Sequence, residues 1–369
     1  MKLKIRVIFF LFIAMFFSFH PKPDGVKQKA QLVLCVDFSK SAQQISDAVR
    51  NNFWEFYIEF EHKNPNTKLE LAIVGFSSKV FGKDNRYVKV LQNFEDDPTN
   101  YFEYVNSKIL TSSLADNQVG TALNVAIDEL SWDMNSNVKK QIFTIGNGTI
   151  KDEYALAKKA CKKAKKKNIG INILYVFHKK KDQAFSYWQH LSELAEGRII
   201  TIIPQYLNEK VSGQIKASLE RIVEENDFLN STYIPFNSKG VDELNRIKLM
   251  DSYAKNIGVK VIGTRSIYKV KRYYQNIKSN WDLVDLYDAG KVNYKNLVRE
   301  HLPFYMRNMT LLEIKGVLKQ KSGDRRIGCE IVSDLYHANY AIREKSRKNP
   351  AYKLDLSSNV IKVFSESGI

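Results

Sequence analysis

The sequence contains few of the residues and motifs on which most catalytic and disulfide-linked sites depend. Only three of its 369 residues are cysteine, and Cys35, Cys161 and Cys329 are too far apart to form a C-x-x-C motif. We therefore expect buried free thiols rather than a disulfide framework. The six histidines form no H-E-x-x-H pair, and there is no Walker-type loop, dinucleotide-binding glycine pattern or nucleophile–base motif. These absences argue against an enzyme of a recognisable class.

Long apolar runs are equally scarce, with one exception near the N-terminus. Residues 7–19 (VIFFLFIAMFFSF) follow a basic start made by Lys2, Lys4 and Arg6. A run of this length suits the core of a signal peptide and is shorter than the roughly 20 residues that span a bilayer. We expect residues 1–20 to be a signal peptide or an uncleaved N-terminal anchor. The rest of the chain is then expected to be exported, to a periplasm or to the cell exterior.

Acidic residues are outnumbered by basic ones, which gives a formal net charge of +17. Such a charge attracts acidic partners. The densest basic cluster, residues 158–167 (KKACKKAKKK), is interpreted as a solvated helix face, and contact with an anionic membrane surface is the alternative. Residues 269–278 (KVKRYYQNIK) mix basic and aromatic side chains, as nucleic-acid sites do. We expect instead a helix that packs its aromatic side chains inward, because an exported protein seldom meets nucleic acid.

Strand-like and helix-like segments alternate over roughly the first 225 residues. Short, continuously apolar strands separated by amphipathic helices predict an α/β fold with a doubly wound, mostly parallel sheet over residues 29–225. The most polar of these strands is expected at an edge of the sheet, at residues 87–91. The predicted strands are residues 32–36, 68–76, 87–91, 141–145, 171–177 and 198–203.

The composition and the hydrophobic periodicity of the sequence change after this region. Residues 226–240 are polar and turn-rich, which predicts a linker. Residues 241–369 carry helical periodicity and many basic residues, so we expect a smaller, basic, mainly helical C-terminal domain. Within it, residues 322–328 (SGDRRIG) predict a turn between helices, and residues 360–364 predict a strand.

Polar side chains occur at every second position from the end of the first predicted strand. In residues 33–42 (VLCVDFSKSA), the apolar run ends at Asp37, and Ser39 and Ser41 follow. Ligands of doubly wound sheets bind outside the carboxyl ends of the strands, where these side chains are expected. Carboxylate and hydroxyl oxygens suit Mg²⁺, a hard cation that prefers oxygen ligands. The alternative is that the three residues only cap the following helix.

Residues 33–42 resemble the first motif of the von Willebrand factor type A domain family, whose metal-ion-dependent adhesion site uses D-x-S-x-S. The family's second element is a threonine in a G-T pair that opens a helix, and Thr121 in VGTAL fits it. The third element is T-D-G after a buried strand. Here the strand is followed by Gly-Asn-Gly, and Asn147 occupies the place of the aspartate. The resemblance covers roughly residues 30–225, with the motifs in the family's order.

The resemblance implies a divalent cation, Mg²⁺ or else Mn²⁺ or Ca²⁺, with a ligand set of Asp37, Ser39, Ser41, Thr121 and Asn147. A carboxylate from an acidic protein partner would complete the coordination. Because asparagine lacks the charge of aspartate, one carboxylate would face a doubly charged ion. We therefore expect weak metal binding that favours an anionic partner group.

An acid close to this loop, Asp152, could replace the missing charge. We interpret it instead as an acid at a helix N-terminus, where it needs no metal to be favourable.

These features predict a non-enzymatic protein-binding or adhesion module of the cell envelope or exterior. Two alternatives stay open. The C-terminal domain could carry an unrecognised catalytic site to which the first domain recruits substrate. The first domain could also be a scaffold in which Asn147 has ended metal binding.

Overall fold

The structure is a computed structural model that describes residues 28–97, 99–108, 110–112, 117–177, 183–208, 211–276, 278–349 and 352–366. The predicted signal peptide or anchor at residues 1–20 lies outside the described residues. Within the described ranges, no helix has both the length and the apolar character needed to cross a bilayer.

A six-stranded sheet and its helices form the first part of the chain. The strands are β1 (Gln28–Asp37), β2 (Thr67–Phe76), β3 (Val88–Glu95), β4 (Lys139–Gly146), β5 (Gly170–Val176) and β6 (Ile199–Ile202). The helices alongside them are α1 (Gln43–Asn51), α2 (Phe53–Lys63), α3 (Thr99–Ser107), α4 (Val119–Asp128), α5 (Tyr154–Lys166), α6 (Phe185–Leu194) and α7 (Gly213–Asn230).

The strand order is β3-β2-β1-β4-β5-β6. All neighbouring strands run parallel except β3, which pairs antiparallel with β2 at one edge. The chain builds one half of the sheet outward from β1 and then returns to build the other half from β4. This confirms the predicted doubly wound, mostly parallel sheet, including the position of the polar strand at its edge.

Alternate residues of β1 point to opposite faces of the sheet and enter two different cores. Leu32, Leu34 and Val36 pack on one face, against α1, α2 and α7. Val33 and Cys35 pack on the other face, against α4, α5 and α6. Both faces of the sheet are therefore buried, as the continuous apolar strands predicted. The three cysteines are free and buried, also as predicted.

The rest of the chain is helical, as predicted. The helices are α8 (Asn237–Ile257), α9 (Val259–Tyr274), α10 (Leu283–Asp288), α11 (Leu311–Arg347) and α12 (Leu356–Glu366). Side chains of α9, α11 and α12 belong to the same core as α1, α2 and α7. A smaller core around Leu283, Met306 and Ile314 lies beside it. The boundary of a separate C-terminal domain at residue 241 stays a prediction.

Two local predictions in this region are wrong. Residues 322–328 do not form a turn but lie inside the long helix α11, where Arg325 and Cys329 are buried in helix–helix contacts. Residues 360–364 are not a strand but part of α12, with Val360, Ile361 and Phe364 buried on its inner face. In both cases tertiary packing outweighs a weak local preference.

Candidate functional site

The candidate site lies at the carboxyl ends of the two central strands, β1 and β4. The chain adds strands on one side of β1 first and on the other side afterwards, so the strand order reverses between these two strands. Asp37 is the last residue of β1, and Asn147 directly follows β4. Residues 35 and 36 pair with residues 144 and 145 of the neighbouring strand, so the two strand ends are side by side. In open α/β sheets this switch point is where ligands bind. The fold thus brings Asp37 and Asn147 to one edge, as the sequence predicted.

The serines turn back toward the strand end immediately after Asp37. The backbone N–H of Ser39 donates to Oδ1 of Asp37 at 2.8 Å. The two hydroxyl oxygens, Oγ of Ser39 and Oγ of Ser41, are 3.1 Å apart. Ser39 is buried, whereas Ser41 is exposed in a short 3-10 helix (Lys40–Ala42). Two hydroxyls and one carboxylate therefore converge within a single tight loop.

The serine hydroxyls do not cap the following helix. Ser39 precedes the 3-10 helix, but its side chain makes no capping hydrogen bond. The residue at the N-cap of α1 is Ala42, which has no side chain able to cap. Elsewhere in the chain a serine does cap, since Oγ of Ser212 accepts from the N–H of Ile215 at the start of α7. The arrangement at Ser39 and Ser41 consequently has no explanation in helix capping.

Asp37 is an isolated buried carboxyl group. Only 1% of its surface is exposed. Burial raises the pKa of Asp37 to about 6, and the hydrogen bonds from Ser39 only partly oppose this rise. Within the described residues, no Lys or Arg forms an ion pair with it. A bound cation would therefore stabilise the ionised form of this side chain.

Asn117 connects the two strand ends, and sequence reasoning missed it. Its Nδ2 donates to Oδ2 of Asp37 and to the backbone O of Asn147, both at 3.3 Å. Its Oδ1 accepts from the N–H of Val119, which fixes the start of α4. The loop that carries Asn147 is supported from behind by Trp188, whose Nε1 donates to the backbone O of Gly148 at 2.8 Å. These hydrogen bonds hold the two strand ends together.

Thr121, predicted as a metal ligand, contacts a carboxylate. Its hydroxyl donates to Oε2 of Glu153 at 3.0 Å, and its backbone N–H donates to the same oxygen at 2.6 Å. These two hydrogen bonds connect the start of α4 to Glu153, and the role of Thr121 as a ligand stays a prediction. Asp152, the acid considered from the sequence, is exposed. A second carboxylate therefore does lie near the predicted ligand set, one residue further along the chain.

Gly120 makes the contact between Thr121 and Glu153 possible. A Cβ atom at this position would lie 2.5 Å from the backbone O of Glu153 and 2.8 Å from the backbone N of Ala157. The start of α4 can approach the start of α5 this closely only because residue 120 has no side chain. The carboxylate also receives two hydrogen bonds at the N-terminus of α4, where negative charge is favoured. In the sequence, the G-T pair marked only the start of this helix, and neither the close approach nor its partner was predicted.

A third loop, from the end of β2, completes the surroundings of the serines. Ser77 has φ 61° and its Oγ accepts from the N–H of Gln118 at 3.0 Å. Ser78 and Ser112 join through their hydroxyls at 3.2 Å. The O of Ser112 accepts from the N–H of Lys40, between the two serines of the motif, at 2.9 Å. The loops after β1 and β2 are therefore linked by hydrogen bonds.

The donor set fits a hard divalent cation. Carboxylate, hydroxyl and amide oxygens are the groups that Mg²⁺ and Ca²⁺ take, and no basic side chain among the described residues forms an ion pair with the buried Asp37. In the part of the chain that the structure describes, no three His, Cys, Asp or Glu side chains group as metal ligands. Metal binding at this edge would consequently depend on the serine and threonine hydroxyls.

Comparison with known proteins finds likenesses among solved structures. No protein-family model matches the chain, and no curated protein matches it. The solved structures to which it is similar include the crystal structure of the SpRpn10 VWA domain, at 16% sequence identity and a TM-score of 0.36. That match covers 48% of this chain and 89% of the other. At this identity and TM-score the likeness carries no argument about metal, partner or activity, which have to be argued from the residues themselves.

Proposed function

We propose that this protein is a non-enzymatic interaction module that binds a carboxylate of an acidic protein partner through a divalent cation. Asp37, Ser39 and Ser41 would hold the cation, Mg²⁺ or else Mn²⁺ or Ca²⁺. The hydroxyl of Thr121 and the side chain of Asn147 would complete the protein's side. One position would remain for the partner's Asp or Glu.

The observation that carries this proposal is the pair of serine hydroxyls beside a buried carboxyl group. The two hydroxyl oxygens lie 3.1 Å apart, and both serines follow Asp37 within four residues. Neither hydroxyl caps a helix. Burying Asp37 without a cation is unfavourable, and a divalent ion would remove that penalty. Binding of a divalent cation at this site would therefore stabilise the folded protein.

Glu153 changes the expected charge of the occupied site. Counting Asp37 alone, a divalent ion would leave a formal charge of +1. With the carboxylate that binds Thr121 included, two negative charges balance the ion. We infer that Glu153 orients the Thr121 hydroxyl through a hydrogen bond and supplies the charge that Asn147 does not. Carboxylates that support metal ligands in this way commonly strengthen binding.

Isothermal titration calorimetry with Mg²⁺ and Mn²⁺ tests the metal site directly. The wild-type protein should bind one ion, and Asp37→Asn should abolish the heat of binding while keeping the shape of the side chain. Asp152→Asn is the matched control, because it removes a nearby exposed carboxylate and should leave binding unchanged. Equal binding by the wild type and Asp37→Asn would contradict the proposal.

Capture of partners from an envelope extract tests whether a carboxylate of the partner binds the metal. Capture should need Mg²⁺, should be lost in EDTA, and should be lost in Asp37→Asn. Excess acetate should weaken it, because acetate can occupy the open position on the metal. Export of the chain, with or without an N-terminal anchor, is part of the same proposal.

The hydrogen bonds from Thr121 to Glu153 favour a second candidate function. In this candidate the protein is a scaffold that binds its partner without metal. In that case Glu153 would act only as a support for the start of α4, and capture would persist in EDTA. An absence of calorimetric heat with either ion, together with EDTA-resistant capture, would favour this candidate.

A further inference from the structure

A large cavity lies among the C-terminal helices, apart from the strand-end site. Its volume is about 600 Å³, within the range of small-molecule pockets, roughly 300–1,000 Å³. It opens between α8, α9, the middle of α11 and the segment before α10. Acidic groups in its wall are outnumbered by basic ones: Lys239, Arg246, Arg265, Lys269, Arg272, Lys278 and Arg325 face Asp97, Glu243 and Asp285.

One face of α9 supplies the basic wall of this cavity. Arg265, Lys269 and Arg272 recur at helical spacing, and Tyr268 and Tyr273 belong to the same stripe. The inward face of a helix normally carries apolar side chains at these positions. Here cations alternate with aromatic rings instead. This is the segment whose mixture of basic and aromatic residues was conspicuous in the sequence.

Two of these cations share a single carboxylate. Asp251 accepts from Nε of Arg265 at 2.6 Å and from Nζ of Lys269 at 3.0 Å. Burial lowers the pKa of Lys269, Asp251 only partly offsets this, and Arg265 lowers it further. Two cations around one carboxylate leave a net positive charge among the described residues of this part of the wall, which an anion would neutralise.

Two cations nearer the mouth form no ion pair shorter than 3.8 Å within the described residues, although Nη1 of Arg272 donates to the hydroxyl of Tyr268 at 3.0 Å. Nζ of Lys278 lies 3.8 Å from Asp288 and 4.0 Å from Asp285, beyond hydrogen-bonding distance, and stands over the ring of Tyr273. Nη2 of Arg272 is 3.8 Å from Asp97. Both side chains thus have N–H groups that can turn toward a ligand without breaking a short ion pair.

From this geometry we propose that the cavity binds a phosphorylated small molecule. Several Arg and Lys side chains line one cavity, and phosphate oxygens accept from such groups in paired, charge-assisted hydrogen bonds. Arg325 is engaged with Asp282 and Asp285, and Arg265 and Lys269 are engaged with Asp251. Arg272 and Lys278 therefore supply the N–H groups that contact the ligand, and Arg265 and Lys269 add positive charge behind them. This function does not depend on the metal site.

Calorimetry of the full chain with ATP and with inorganic pyrophosphate, in EDTA and at physiological ionic strength, tests the proposal. EDTA keeps the strand-end site empty of metal, so any binding belongs elsewhere. We expect saturable binding of one molecule, weakened about tenfold or more in Arg272→Gln/Lys278→Gln, since each lost charge-assisted hydrogen bond costs a large factor in affinity.

Lys248→Gln/Lys319→Gln is the charge-matched control, because both lysines are exposed on α8 and α11 outside the cavity wall. It should bind as the wild type does. If the first double variant fails to fold, Lys278→Gln alone serves, since its side chain makes no short ion pair. The proposal is overturned if neither probe saturates, if the control loses as much affinity as the cavity variant, or if citrate binds as tightly as pyrophosphate.

Discussion

Glu55 offers the sharpest test of how the helical region is attached to the sheet. It lies on α2 and is 2% exposed, between Nζ of Lys260 on α9 at 2.7 Å and Nη1 of Arg343 on α11 at 2.8 Å. Glu55→Gln keeps the size of the side chain and removes its charge. The two cations would then lose the carboxylate that lies between them.

The expected loss can be worked in two ways. Removing one partner of a buried ion pair costs about 3–5 kcal/mol. Burial alone would raise the pKa of Glu55, but Lys260 and Arg343 lower it to about 2, from an ordinary value of 4.5. A shift of this size corresponds to about 3 kcal/mol at about 1.4 kcal/mol for each pH unit. Both routes give a substantial part of the roughly 5–15 kcal/mol by which a typical protein is stable.

Urea unfolding at pH 7, followed by tryptophan fluorescence and by far-UV circular dichroism, measures this loss. Glu55→Gln should lower the free energy of unfolding by about 3 kcal/mol with an unchanged slope against urea. The control is Glu220→Gln, which removes an exposed partner of Lys216 and should change stability by less than about 0.5 kcal/mol. The wild type should also lose stability as the pH falls from about 4.5 toward 2, because its carboxylate must then be protonated. Equal urea midpoints for Glu55→Gln and wild type would refute the reasoning.

Four further predictions concern the strand-end site. Gly120→Ala should lower the melting temperature by an amount equivalent to about 1–3 kcal/mol in differential scanning fluorimetry, because its methyl group would collide with backbone atoms of Glu153; an unchanged melting temperature would contradict the packing described. Glu153→Gln should weaken Mg²⁺ binding about tenfold or more in calorimetry, and unchanged affinity would show that Glu153 has no part in it. Apparent Mg²⁺ affinity should be about tenfold weaker at pH 5 than at pH 7, because protons compete for Asp37, whose pKa is raised to about 6. With no metal, the same raised pKa means that stability falls by about 3 kcal/mol as the pH rises from about 4 through 6, and Asp37→Asn should remove that fall.

The sheet could be predicted from the sequence because its strands are continuously apolar and short. Burial on both faces requires such runs, and the polar strand β3 stands out as an edge for the same reason. The position of Asp37 at a strand end followed directly from this pattern. The errors at residues 322–328 and 360–364 arose where sequence preference is weak, and where contacts with distant helices decide the local structure.

The site could be predicted only in part. Asp37, Ser39 and Ser41 are close in sequence, so their local geometry follows from one tight loop. Glu153 and Asn117 approach the site through contacts between different loops, and no spacing in a single sequence reveals such contacts. The Gly-Thr pair marked only the start of a helix, although a glycine at such a place permits a close neighbour.

The length of α11 has a mechanical consequence. Its 37 residues extend about 55 Å as one unbroken rod. Near its middle Arg325 and Cys329 border the cavity, and near its end Arg343 and Arg347 pair with Glu55 and Glu59 on α2. Because one continuous helix connects the two places, a displacement of α11 at the cavity would also move these ion pairs. The same helix thus contributes to the wall of the cavity and to the contacts with α2, so cleavage of the chain within α11 would destabilise both regions.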